Sequence, residues 1–179
     1  MQIVIWVAAS ALLLLAIRSL YLLRRLKKTD LKEGLVFEDA EHRLKMRYPP
    51  WWEQRNEVDG RHLFMSHEKD GVLVLRLFPK SGQTLQQLAD QWSTEQKVVW
   101  DDPILEQIEV NGLTVGRIES RATVVGSARK YIQLWLVIKN TWEARFVYES
   151  SVMFGMVDSW YLHQMLLTIE EYEASYQDS

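Results

Sequence analysis

No cysteine occurs among the 179 residues, which excludes thiol catalysis, disulfides and thiolate metal sites and leaves the redox compartment open. Histidine is scarce: His42, His62, His67 and His163 are the four present, and no HExxH or HxH joins any two. His62 and His67, five apart in a predicted strand, point to opposite faces and cannot chelate together. His42 and His163 lie far apart in sequence, so no histidine metal site is expected. Phosphate-cradling glycine motifs are missing too. There is no GxxxxGK[ST], no GxGxxG, and no GxSxG elbow around Ser81-Gly82, so neither nucleotide binding nor serine hydrolase chemistry is indicated and no cofactor is expected. Internal repeats and low-complexity runs are also absent.

Carboxylates offer the remaining route to chemistry. Asp101-Asp102 precede Pro103 after a predicted helix, and Glu170, Glu171 and Glu173 cluster on the predicted last helix. Paired carboxylates can do acid–base or metal work, but a solvated turn and a solvated helix face are the ordinary homes of such groups. Acids at a helix C-terminus also oppose its dipole.

Basic residues are unevenly spread. Residues 1–34 hold six (Arg18, Arg24, Arg25, Lys27, Lys28, Lys32) against two acids, while 35–179 hold 15 against 22, a net charge of −7. A domain that acidic is a poor partner for nucleic acid. What the chain does have is apolar mass: 47% hydrophobic residues and eight tryptophans, enough for a globular core rich in aromatic packing.

Residues 3–23, "IVIWVAASALLLLAIRSLYLL", are apolar apart from Ser10, Arg18 and Ser19. As a helix they rise roughly 31 Å, about the hydrocarbon thickness of a bilayer. A secretory signal would carry basic residues before the apolar stretch and small residues at a cleavage site after it; here the bases all follow. The expectation is one retained transmembrane helix within 1–28, with Arg18, Arg24, Arg25, Lys27 and Lys28 at the membrane interface and Arg18 snorkelling to it. Basic flanks stay cytoplasmic, so the N-terminus should face out and the following domain should sit in the cytoplasm at the cell membrane. No small-xxx-small pair marks a dimerising face in the span.

Residues 29–34, "TDLKEG", read as a linker, and 35–179 as one domain. "LVFED" and "HRLKMRY" form a hairpin, the second strand alternating Leu44, Met46 and Tyr48 against Arg43, Lys45 and Arg47 until Pro49 and Pro50 end it. "HLFMSH" and "VLVLRLF" flank the turn "EKDG". "TLQQLADQWSTEQ" has helical spacing, with Thr84 as N-cap. "ILEQIEV" and "LTVGRIESRAT" meet at Asn111-Gly112, a strong hairpin signal. "KYIQLWLVIK" and "WEARFVYES" follow, and "MVDSWYLHQMLLTIEEY" closes the chain as an amphipathic helix. This order predicts an α+β fold, an antiparallel sheet of six to eight strands with packed helices.

A hairpin ending in Tyr48, Pro49 and Trp52, a helix opened by Thr84, Leu85 and Leu88, and the Asn111-Gly112 hairpin resemble the Mog1/PsbP/DcrB-like family over about residues 35–172. These are scaffold signatures without a catalytic motif. The resemblance implies a role like that of the family's adaptors, assembly factors and envelope proteins, which bind other proteins; in a bacterium with a contact-dependent secretion system it implies an adaptor or immunity role. Several of those relatives are secreted or lipid-anchored, unlike the orientation expected here.

The aromatics then become the candidate binding residues. Tyr131, Gln133, Trp135 and Val137 share one strand face, as do Trp142, Ala144, Phe146 and Tyr148 on the next. Apolar residues on both faces predict that a helix layer covers each or that one stays partly open as a groove for another protein. Trp135 and Phe146 are candidates there. In "MRYPPWWEQR" adjacent tryptophans point opposite ways; the resemblance favours Trp52 as the fold anchor, leaving Trp51 as a rim residue or a contact. The expected function is a membrane-anchored, non-enzymatic protein-binding module. The alternative is a small-ligand-binding or hydrolytic cleft using Asp101, Asp102 or His163.

Overall fold

A computed structural model describes residues 31–66, 70–124, 126 and 128–171. The chain divides into two compact units, Met1–Glu33 and Gly34–Ser179. In the first, the described part is a 3-10 turn at Leu31–Glu33. The apolar stretch 3–23 and the predicted interface residues Arg18, Arg24, Arg25, Lys27 and Lys28 lie outside the described residues, as does His67. Among the described residues no helix is long and apolar enough to cross a membrane.

The second unit is α+β, as the periodicities predict. Strands β1 (Leu35–Asp39) and β2 (Leu44–Tyr48) form the first hairpin. His42 donates its backbone N–H to Asp39 Oδ1 at 2.8 Å, and Arg43 takes a left-handed φ of 53° to close the turn. β3 (Glu53–Asn56), β4 (His62–Met65) and β5 (Val72–Pro79) follow. Helix α1 (Leu85–Gln96) starts on a capping box in which Thr84 and Gln87 bond each other's backbone N–H, satisfying two of the donors a helix start leaves open. Then come β6 (Val98–Val110), β7 (Leu113–Val124), β8 (Arg129–Ile138) and β9 (Trp142–Ser151). Helix α2 (Val152–Leu167) and the two-residue β10 (Glu170–Glu171) end the described chain.

Seven strands make one antiparallel sheet in the order β3-β4-β5-β9-β8-β7-β6, and β1-β2-β10 make a separate small sheet. The turn between β6 and β7 is Asn111-Gly112, both at positive φ (50° and 76°), as a two-residue hairpin of matching twist requires. Two expectations need correction. Asp101-Asp102-Pro103 are not a turn; they form a bulge within β6, between Asp101 and Ile104. Proline is tolerated there because β6 is an edge strand and the missing N–H breaks no inner ladder. Glu170 and Glu171 are not helical. Thr168 stops α2, its hydroxyl bonding Met165 O at 2.8 Å and accepting the Arg47 N–H at 2.9 Å, and Ile169 buries completely, which turns the two glutamates into a strand on β2.

Alternation along the strands sorts the large sheet into two faces. One carries Leu73 and Leu75 of β5, Ala144, Phe146 and Tyr148 of β9, and Tyr131, Trp135 and Val137 of β8, all buried. Helix α2 packs over β8 and β9 and also against β2. Phe37 and Tyr48 of the hairpin bring their rings to 5.3 and 5.2 Å from Phe64 of β4. The small sheet, unforeseen as a separate layer, thus completes the cover that a helix alone would leave unfinished. On the other face α1 packs on β6, β7 and β8, setting its Ala89 in a cluster with Val98, Ile118, Ala122, Ile132 and Leu134. Gly116 lets Leu85 come close; a Cβ there would sit 3.0 Å from that side chain.

Candidate binding surface beside helix α1

Helix α1 covers only half of its face. The registers place Val147 of β9, Val74 of β5 and Leu63 of β4 in one row across the sheet, with Glu149, Val72 and Met65 in the next and Arg145 and Arg76 on the other side. None of these eight is fully buried. A cavity of about 520 Å3 lies over Val72, Val74 and Val147, walled by Lys130, Glu149 and Ser151. A second, about 310 Å3, lies between Leu88 and Trp92 of α1 and the side chains of Val74, Phe78 and Arg145. Both are lined by Val74, Val147 and Glu149, so they adjoin over a shared valine floor with charged walls, a trough that α1 borders at its second cavity.

The charged walls are held in place. Arg145 lies 4.5 Å over the Phe78 ring and donates from Nε to Glu143 Oε1 at 2.7 Å and from Nη2 to Gln83 at 2.8 Å. Glu143, 1% exposed, accepts the Ser81 N–H at 3.0 Å and the Ser81 hydroxyl at 2.8 Å. Burial pushes its carboxyl up, but the Ser81 N–H, Arg145 and the Ser81 hydroxyl together hold it below the usual range. Arg61 and Arg76 share Asp59 at 2.8 and 3.7 Å, and Lys130 meets Glu149 at 2.7 Å. A rigid arginine over an aromatic ring beside apolar side chains suits recognition by packing and cation–π contact. Among the described residues no set of three His, Asp or Glu side chains could hold a metal ion.

The residues proposed from sequence fall elsewhere. Trp135 and Phe146 are 0% and 1% exposed, with their rings 5.2 Å apart in the core beneath α2. They cannot touch a partner while the domain is folded, and their expected place on an open face is corrected. The aromatic face is the sealed one, and the valine and arginine face is the open one. Trp52 is 3% exposed and stacks on Tyr148 at 6.3 Å; Trp51 is half-buried with its ring edge against Tyr161 at 5.4 Å.

The alternative cleft residues are not united. Asp101 and Asp102 line a shallow concavity with Glu119 and Tyr131, and Asp101 is paired with Arg129. His163 is outside it, 3.4 Å from Arg117 Nη1. Two other histidines do meet through one acid: His42 Nδ1 is 2.9 Å and His62 Nε2 3.6 Å from Asp39. Burial lowers the His62 pKa, against the pull of Asp39, and His42 lowers it further. The sequence did carry a signal for the trough. Val72 and Val74 alternate with Leu73 and Leu75, and Arg145 and Val147 with Phe146 and Tyr148, so β5 turns its leucines and β9 its aromatic rings to the sealed face.

The chain matches no family model and no curated protein sequence. Solved structures do match. The solution structure of cyanobacterial PsbP (CyanoP) from Synechocystis sp. PCC 6803 superposes with a TM-score of 0.59 at 14% identity, covering 77% of this chain and 92% of that one. A crystal structure from Bacteroides thetaiotaomicron, at 1.50 Å resolution, gives a TM-score of 0.56 at 14% identity and covers 78% of this chain and 49% of that one. The scaffold is PsbP-like, in keeping with the resemblance read from the hairpin and helix signatures.

Proposed function

We propose that this protein is a membrane-anchored, non-enzymatic binding module that holds another protein, as an adaptor, in the trough beside α1. The half-open sheet face carries this reading: an apolar floor of Val72, Val74 and Val147 inside rigid charged walls is a surface suited to burial against a partner. The apolar stretch 3–23 followed by Arg24, Arg25, Lys27 and Lys28 supports a single span with the domain on the cytoplasmic side.

Two experiments test the two halves of the proposal. The full chain, purified from solubilised membranes, should retain a partner that Val74→Asp loses and Trp51→Ala keeps. Equal retention by both variants sinks the trough. A reporter fused after Ser179 should be active only in its cytoplasmic form; activity confined to the far side of the membrane sinks the topology.

A further inference from the structure

The trough is not the sole unfinished surface. β6 borders the large sheet at the end opposite β3, and among the described residues no strand pairs with its outer side. It is 13 residues long, and Ile104 and Leu105 are 63% and 44% exposed on opposite faces. Edge strands are usually blunted by proline, lysine or a bulge. Here Pro103 and the bulge protect the first part of β6. From Ile104 to Val110 the ladder with β7 is unbroken, with no proline, no lysine and no bulge.

Charge says what fits. Val98–Val110 hold four acids (Asp101, Asp102, Glu106, Glu109) and no base; Arg129 answers Asp101 and Arg117 answers Glu106 at 2.8 Å, yet the domain keeps a net charge of −7. A second copy would bring four more acids and no base to the seam, with nothing of its own to answer the acids already there. We propose that the outer edge of β6 at Ile104–Val110 receives an extended, basic segment of another protein as an eighth, antiparallel strand. Main-chain hydrogen bonds would supply affinity and alternate side chains specificity. Such a segment places apolar residues against Ile104, Leu105 and Ile108 and lysine or arginine against Glu106 and Glu109. The edge and the trough are separate surfaces, so each can fail without the other.

The probe is a labelled synthetic peptide reading valine-lysine-valine-threonine-lysine-valine-isoleucine, complementary to residues 110 back to 104, titrated against the full chain in detergent. It should bind and slow amide hydrogen exchange at alternate residues of Ile104–Val110. Ile104→Lys, at an exposed position, and Glu109→Lys should each weaken binding by about tenfold or more. A peptide with glutamate for lysine should bind Glu109→Lys better than wild type. Val74→Asp should leave peptide binding unchanged. No exchange protection on β6, or indifference to Ile104→Lys, overturns the proposal. Self-association of the chain abolished by Ile104→Lys also overturns it, since the edge would then belong to a second copy.

Discussion

The two faces of the seven-stranded sheet are built from the same strands and end differently. On β9, Ala144, Phe146 and Tyr148 are 1% exposed or less, while their neighbours Arg145, Val147 and Glu149 stay half-buried. The first set meets α2 and, across the sheet, the small β1-β2-β10 layer; the second meets the flank of α1 and open space. Sealing one face with bulky rings concentrates the stabilising burial there. The opposite face holds a second core cluster under α1, with Val147 packed at its margin, and beyond it Val72, Val74, Arg145 and Glu149 stay only half-buried, as a surface open to a partner would be.

The sharpest way to break this contrast is to remove a ring from the sealed face. Trp135→Ala should cost about 3–5 kcal/mol, read as a large drop in the urea midpoint of the full chain. A loss below about 1 kcal/mol, typical of surface changes, would mean that face is not the core. Glycines compare the two helix layers next. A methyl group at Gly155 of α2 would collide with the Tyr131 ring, whereas one at Gly116 meets the movable Leu85 side chain. Gly155→Ala should therefore destabilise by about 1–3 kcal/mol despite alanine's better helix propensity, and Gly116→Ala by less. The reverse order would show that α1, not α2, is the tightly docked helix.

A pH series sharpens the contrast at the join between the small sheet and β4. The folded His62 pKa lies below 6.5 because burial disfavours its charged form. The unfolded chain then binds more protons between the folded value and 6.5, so this site's stabilisation is full above about 6.5 and is lost as pH falls through that window. His62→Gln should flatten this part of the stability profile; an unchanged slope would place the titrating group elsewhere. The smallest stability change is expected in the trough. Val74→Asp should cost about 1 kcal/mol or less, with partner retention lost.

How much of this was legible from sequence depended on range. Local chemistry spoke clearly: the Thr84 cap, the Asn111-Gly112 turn and the alternation of Leu44, Met46 and Tyr48 each lead to the element observed. Positions whose fate depends on distant chain did not. Pro103 reads as a terminator unless β6 is known to be an edge. Glu170 and Glu171 read as helical until Thr168 is seen bonding Arg47, 121 residues away. The same limit put Trp135 and Phe146 on an open face, because nothing local to them reveals that a second sheet closes over the face they share. Only the pairing of β9 with β5 and β8 shows that the opposite side, under Val74 and Val147, is left half covered.

If the open half-face holds the partner, site-specific photo-crosslinking in intact cells will capture it there. A photoreactive residue is placed in turn at Val74, in the trough, and at Val58, a fully exposed position outside it. One discrete adduct is expected from position 74 and none from position 58. No adduct from the trough, or the same adduct from both positions, would contradict that expectation.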